Sequence, residues 1–195
     1  MIYPEITTIS KEELANYPVR SFEGTIHVVD DLDKAEKAAE FLSKHNELGF
    51  DTETRPSFTK HKTNSVALLQ LSTETDAFLF QLRKIGMPLS VVKLLSAENI
   101  VKTGVAVHDD VRCLQKLRDF SANNFIDLQT IAKQLNIDAM GLKRLTPIAL
   151  DFRISKRQQL SNWDNDDLTE AQKLYAATDA WVSLKIYQKL LPYTL

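Results

Sequence analysis

Residues 48–53 read "LGFDTE", and the rest of the chain is best read outward from that run. As a strand it alternates its side chains between two faces, so Asp51 and Glu53, two residues apart, project from the same one. Like charges held that close repel, and the arrangement asks for a proton or a cation. Oxygen donors alone suit hard divalent ions such as Mg²⁺ or Mn²⁺. The alternative is a strand end dissolving into the polar loop that follows, "TRPSFTKHKTNS" (54–65), which carries Pro56. The doublet by itself does not choose between them.

Before this run, "TIHVVD" (25–30) reads as a strand and "DDLDKAEKAAEFLSKH" (30–45) as an amphipathic helix with Leu32, Ala35, Ala39 and Leu42 at helical spacing. After the loop, "VALLQLST" (66–73) and "DAFLFQL" (76–82) read as central strands joined by a short turn. A helix over "PLSVVKLLSAE" (88–98), a strand over "IVKTGVA" (100–106) and a helix over "HDDVRCLQKLRDF" (108–120) continue the alternation. "FIDLQTIAKQL" (125–135) gives a short strand running into a helix, and "GLKRLTPIAL" (141–150) a further helical segment. This order predicts an α/β fold.

The last helix starts near Thr169, where Thr169 and Gln172 form a threonine-x-x-glutamine capping box, and ends before Pro192. The first 24 residues read as an N-terminal arm with some helix near "SKEELANY" (10–17), ahead of a single domain over 25–195. Composition agrees with one globular unit: 195 residues, 44% hydrophobic and 26% charged, with a net charge of −2. That charge neither requires nor excludes nucleic acid, because a local basic patch can be balanced elsewhere. One cysteine, Cys113, supports neither a disulfide framework nor a cysteine zinc site, and it reads as a small core residue. No apolar run is long enough to span a membrane and the start lacks a leader pattern, so a cytoplasmic location is expected.

Two further places carry acids that a core would not choose. In "GVAVHDD" (104–110), helical spacing puts Asp109 on the face of Arg112 and Lys116, and Asp110 on that of Cys113, Leu114 and Leu117, so Asp110 is the inward candidate. In "LYAATDA" (174–180), Tyr175 and Asp179 lie one turn apart, separated by about 400° of rotation, and Asp179 falls among Ala176, Val182 and Ile186. His108 has no second histidine or cysteine at ligand spacing and reads as local hydrogen bonding. Four acids from a strand, a helix start and a late helix form the kind of set that could hold two metal ions side by side.

With "DTE", "GVAVHDD" and "YAATDAWVSLKIYQKL" in that order, the chain resembles the DEDD superfamily of 3′–5′ exonucleases, in the variant whose third motif carries tyrosine. "VALLQLS" and "LSNWDNDDLTEAQKLYAATDA" extend the likeness, which is greatest to the Werner-type exonuclease domain and more distant to ribonuclease D. The resemblance implies a ribonuclease H-like fold, a mixed central sheet flanked by helices. It also implies a two-metal-ion hydrolysis of phosphodiester bonds from the 3′ end of DNA or RNA, releasing 5′-mononucleotides. On this carry-over Asp51, Glu53, Asp110 and Asp179 hold two divalent ions, Mg²⁺ or Mn²⁺, and Tyr175 orients the attacking water. Arg55, Lys60 and Lys62 after the first motif, and Arg153, Lys156 and Arg157 before the third, are candidates for backbone phosphates or, equally, solvated loop charges. Phe58 and Trp163 are candidates for stacking on terminal bases, with Trp163 also readable as a core anchor. Two other functions remain open: RNA 3′-end processing of the ribonuclease D kind, and a non-catalytic nucleic-acid-binding protein of the same fold. The presence of all four acids and the tyrosine disfavours the last.

Overall fold

The computed structural model describes residues 6–55 and 65–194. In chain order the elements are α1 (Lys11–Leu14), β1 (Thr25–Val29), α2 (Leu32–Leu42), β2 (Glu47–Thr54), β3 (Val66–Ser72), β4 (Asp76–Gln81), α3 (Leu82–Ile85), α4 (Leu89–Ser96), β5 (Val101–Gly104), α5 (Val107–Gln115), β6 (Phe125–Asp127), α6 (Leu128–Gln134), α7 (Leu142–Leu150) and α8 (Glu170–Leu190). A 3₁₀ turn, Leu191–Tyr193, follows α8.

The strands form one mixed sheet in the order β1-β4-β3-β2-β5-β6. β2 and β4 are each antiparallel to β3, while β1 runs parallel to β4 and β5 parallel to both β2 and β6. β2 therefore lies inside the sheet, flanked on both sides. β3 is apolar along almost its whole length and buried on both faces, as a strand covered by helices on each side must be.

Phe50, Leu69, Leu71, Phe78 and Phe80 face a core completed by Ala35 and Leu42 of α2, Val91 and Leu95 of α4, and Val107 and Leu114 of α5. On the opposite face α8 lies across the sheet, with Ala176, Ala177 and Ala180 fully buried. The close approach depends on Gly49. A Cβ there would sit 1.9 Å from the carbonyl oxygen of Ala180 and 2.7 Å from Ser72 Oγ, an overlap with backbone that no side chain could relieve. Gly49 thus brings α8 down onto β2 one residue from Asp179 and two from Asp51.

Two expectations are corrected. Leu32 does not join the buried stripe of α2: it is the first helical residue and stays 61% exposed, and Ala38 takes an inward place beside Ala35, Ala39 and Leu42. The apolar run 76–82 is not all strand, because Leu82 opens α3; a short buried run does not reveal where strand gives way to a turn of helix. The capping box of α8 is present, with Thr169 Oγ1 accepting from the Gln172 amide and Gln172 Oε1 accepting from the Thr169 amide.

Candidate active site

Gly49, Asp51 and Glu53 alternate onto the α8 face of β2, and the intervening Thr52 points to the other face, where α5 begins. The pairing of β2 with β3 slips between Glu53 and Thr54, a bulge at the point where the strand leaves the acids. Asp179 comes down from α8 onto this face, 2% exposed. One oxygen from each of Asp51, Glu53 and Asp179 lies within 4.8 Å of the other two.

Three carboxylates in so small a volume oppose one another's ionisation. Burial, then the charges of Asp179 and Asp110, push the Asp51 carboxyl well above the usual carboxylate range. Burial and the Asp51 and Asp179 charges push Glu53 up to about 9. Asp179 is also raised by burial, against the lowering effect of Lys156 beside it. Lys156 Nζ is 2.8 Å from Asp179 Oδ2 and 3.3 Å from the Tyr175 hydroxyl. It also sits 5.2 Å over the Tyr175 ring. Lys156, Tyr175 and Asp179 thus form a closed set, in which burial followed by the Asp179 and Glu53 charges holds the tyrosine hydroxyl above its ordinary pKa. Tyr175 is therefore a neutral hydrogen-bonding group at physiological pH.

Asp110 lies outside this tight cluster but near enough for its charge to raise the pKa of both Asp51 and Glu53. Thr52 Oγ1 donates to its Oδ1 at 2.6 Å, and burial raises its pKa to about 6 despite that bond. The helix that carries it is entered through Ala106, which adopts a left-handed conformation with φ 57° and donates its amide to Asp127 Oδ1 at 3.1 Å. That conformation costs a residue with a Cβ about 1 kcal/mol, and it turns the chain from β5 into α5 so that Asp110 faces β2. Asp109 is exposed and pairs with Arg112 at 3.7 Å, as its helical face predicts.

The other sequence candidates separate in space. Lys156 is inside the site. Arg153 is tied to the N-terminal arm: its Nε donates to the Tyr17 carbonyl at 3.0 Å and its amide to the Pro18 carbonyl at 2.9 Å. Arg55 lies 3.9 Å from Asp164, and Arg157 is exposed near Tyr175. Trp163 does not stack on a base: it is 2% exposed and packs among Ala67, Leu68, Leu79 and Leu168, with its ring 5.9 Å from that of Tyr175. It supports the catalytic tyrosine candidate from behind. Phe58, Lys60 and Lys62 lie outside the described residues. Sequence reasoning missed Thr52, Gly49 and Asp127, although the place of Thr52 between two acids on a strand assigns it to the opposite face.

A cleft of about 400 Å³ opens over the trio, lined by Asp51, Thr52, Glu53, Lys156, Tyr175 and Asp179 with Val105, Lys143 and Gln159 at its walls. Asp179 Oδ1 is buried and has no hydrogen-bond partner among the described residues, a costly condition for a carboxylate oxygen. An orphaned oxygen within a set of converging carboxylates fits a hard divalent cation.

A mixed sheet with a long helix across one face and an acid cluster at the end of a central strand defines a ribonuclease H-like nuclease domain. A family model for 3′–5′ exonuclease matches residues 26–194. The chain belongs to the 3′–5′ exonuclease family. It is 36% identical over 155 residues to the bifunctional 3′–5′ exonuclease/ATP-dependent helicase WRN of Mus musculus, a match covering 76% of this chain and 11% of the mouse protein. It is 28% identical over 198 residues to a 3′–5′ exonuclease of Arabidopsis thaliana, covering 93% and 69% of the two chains. In fold it is similar to the Nibbler EXO domain of Aedes aegypti, with a TM-score of 0.79 at 24% identity over 91% of this chain and 92% of the other. The chain spans only about a tenth of the length of the mouse relative. Among the described residues no helix is long and apolar enough to cross a membrane.

Proposed function

We propose that this chain is a divalent-cation-dependent 3′–5′ exonuclease that removes 5′-mononucleotides from the 3′ end of DNA or RNA. The observation that carries the reading is the convergence of Asp51, Glu53 and Asp179 around an unpartnered carboxylate oxygen, one turn of helix from the Tyr175 hydroxyl. Asp51, Glu53, Asp110 and Asp179 are the residues that would hold Mg²⁺ or Mn²⁺, Asp110 from the start of α5. Bound divalent ions supply a water of lowered pKa and a counter-charge for the leaving 3′ oxygen.

The chain's own residues do the rest. Tyr175, neutral and braced by Trp163, holds its hydroxyl at the acids, where it can orient a water by hydrogen bonding. Lys156 places a positive charge at the mouth of the same cleft, within reach of a phosphate oxygen. Thr52 fixes the carboxylate of Asp110. The test is incubation with Mg²⁺ and 5′-end-labelled DNA and RNA, single- and double-stranded. A ladder of progressively shorter labelled fragments is expected. Release of label first, or only internal cuts, would rule out 3′–5′ polarity, and the preferred polymer in the same assay separates a DNA exonuclease from an RNA-processing enzyme.

A further inference from the structure

Tyr175 lines a second cleft. On the side of the tyrosine away from the acids, about 250 Å³ is enclosed between the N-terminal arm, the segment before α8 and α8 itself. Its apolar surface comes from Val19 and Leu174, which remain 54% and 39% exposed. Arg20 and Arg157, both exposed, stand at its edges, and among the described residues neither guanidinium has a carboxylate at ion-pair distance. Ser21, Ser155 and Thr178 add hydroxyls to the lining.

The arm is built into this wall. The Phe22 amide donates to Thr178 Oγ1 at 3.0 Å, one residue from Asp179, and the Phe22 ring lies 6.0 Å from that of Trp181. The Arg20 amide donates to the Arg153 carbonyl at 2.9 Å, and Arg20 Cζ sits 5.8 Å over the Phe152 ring. The residues that form this wall, 19–21, precede the part of the chain that the exonuclease family model matches, which begins at residue 26.

Two like charges held beside an apolar slot, with no acid at ion-pair distance among the described residues, complement a strand that carries phosphates beside flat apolar bases. We propose that this cleft is a subsite for the retained strand, taking a base between Val19 and Leu174 and phosphates on the 5′ side of the scissile one on Arg20 and Arg157. The assignment rests on the exonuclease reading. With the terminal nucleotide's phosphate at the acids, the strand that continues past Tyr175 enters this slot, so the arm becomes a determinant of substrate binding rather than an appendage.

The experiment compares two substrates: a single-stranded oligonucleotide, and the 5′-p-nitrophenyl ester of thymidine monophosphate, which presents a terminal nucleotide with no strand behind it. For Arg20→Ala and Arg157→Ala, the ratio of oligonucleotide to ester kcat/KM is expected to fall about tenfold each, the loss associated with one charged hydrogen bond. The salt dependence of oligonucleotide binding should become shallower by about one unit of slope. Val19→Asp, which puts a carboxylate in the slot, should lower the same ratio. An unchanged ratio would overturn the assignment, whether from equal losses on both substrates, which would place the residues' effect on the terminal nucleotide or the fold, or from no loss on either. A wild-type protein that cleaves neither substrate would overturn the exonuclease reading itself, and the subsite with it.

Discussion

Lys102 on β5 is fully buried, yet its ammonium donates to the carbonyls of Ala97 and Ile100 at 2.8 Å each and lies 5.1 Å over the Phe125 ring. Asp51 and Glu53 are half-buried and Asp179 buried, but three carboxylates share one ammonium, and one oxygen has no hydrogen-bond partner among the described residues. Burial pushes both regions toward neutrality, Lys102 down to about 8 and Glu53 up to about 9. The difference lies in what completes them. The lysine's donors are met by backbone and a ring, so its burial is a structural matter settled inside the fold. The acids oppose each other, so they hold protons or need a cation from solution, the physical pattern of a site whose chemistry costs stability.

The comparison breaks first at the acids. Asp51→Asn or Asp179→Asn should lower cleavage by about 10³-fold or more, because each removes a ligand charge worth several kcal/mol in the transition state, with circular dichroism showing an unchanged fold. Wild-type cleavage by either folded variant would sink the metal assignment. Tyr175→Phe keeps the ring against Trp163 and should cost about 10² to 10⁴ in turnover, with metal affinity nearly unchanged. Single-turnover kinetics beside a metal titration would check this, and a defect that vanishes at high substrate would make the tyrosine a packing residue.

Stability sharpens the same contrast, with opposite signs for the two regions. Glu53 has a folded pKa above its unfolded value, so the native state binds the extra proton and stability is lost as pH rises from about 4.5 toward 9. Lys102 has a folded pKa below its unfolded value, so its burial penalty is relieved as pH rises from about 8 toward 10.5. In chelator, thermal unfolding should therefore show a melting temperature that declines from pH 5 to 9. Asp51→Asn should flatten that decline and raise stability at pH 8 by about 1–3 kcal/mol, since it removes one of the opposed charges. A flat wild-type profile would mean that the acids do not burden the fold. Lys102→Met should instead destabilise by about 1–3 kcal/mol, because it strands two buried carbonyls, while leaving cleavage by the folded protein within a few-fold of wild type.

The smallest effect concerns the helical face of α5. Asp109→Asn should stay within about twofold of wild type, since an exposed pair with Arg112 contributes little, whereas Asp110→Asn should be impaired severely. Equal losses would mean that the inward carboxylate has been misassigned.

These contrasts were unevenly legible in the sequence. The alternation of strand and helix, the shared face of Asp51 and Glu53, the inward turn of Asp110 and the capping box of α8 all follow from local periods of two and 3.6 residues, which a chain displays without its tertiary partners. Lys156 and Arg153 looked alike as basic residues of one loop. One pairs with Asp179 and the other clamps the arm, because that division depends on contacts made 23 and 136 residues away. Trp163 was open to two readings for the same reason, and its burial against Tyr175 is settled only by the packing of the loop on α8 and β3. The close contact at Gly49 was not legible at all, since only the placement of α8 shows what a side chain there would strike.

The most direct measurement is calorimetric titration of the wild-type protein with Mn²⁺ near pH 7.5, repeated in buffers of different ionisation enthalpy. Carboxyls held above their usual range must lose protons to bind a metal. The binding heat should therefore change with the buffer, corresponding to net proton release, and that release should shrink in Asp51→Asn. Binding without proton release, or no binding at all, would contradict the claim that these acids are an incomplete site awaiting a divalent cation.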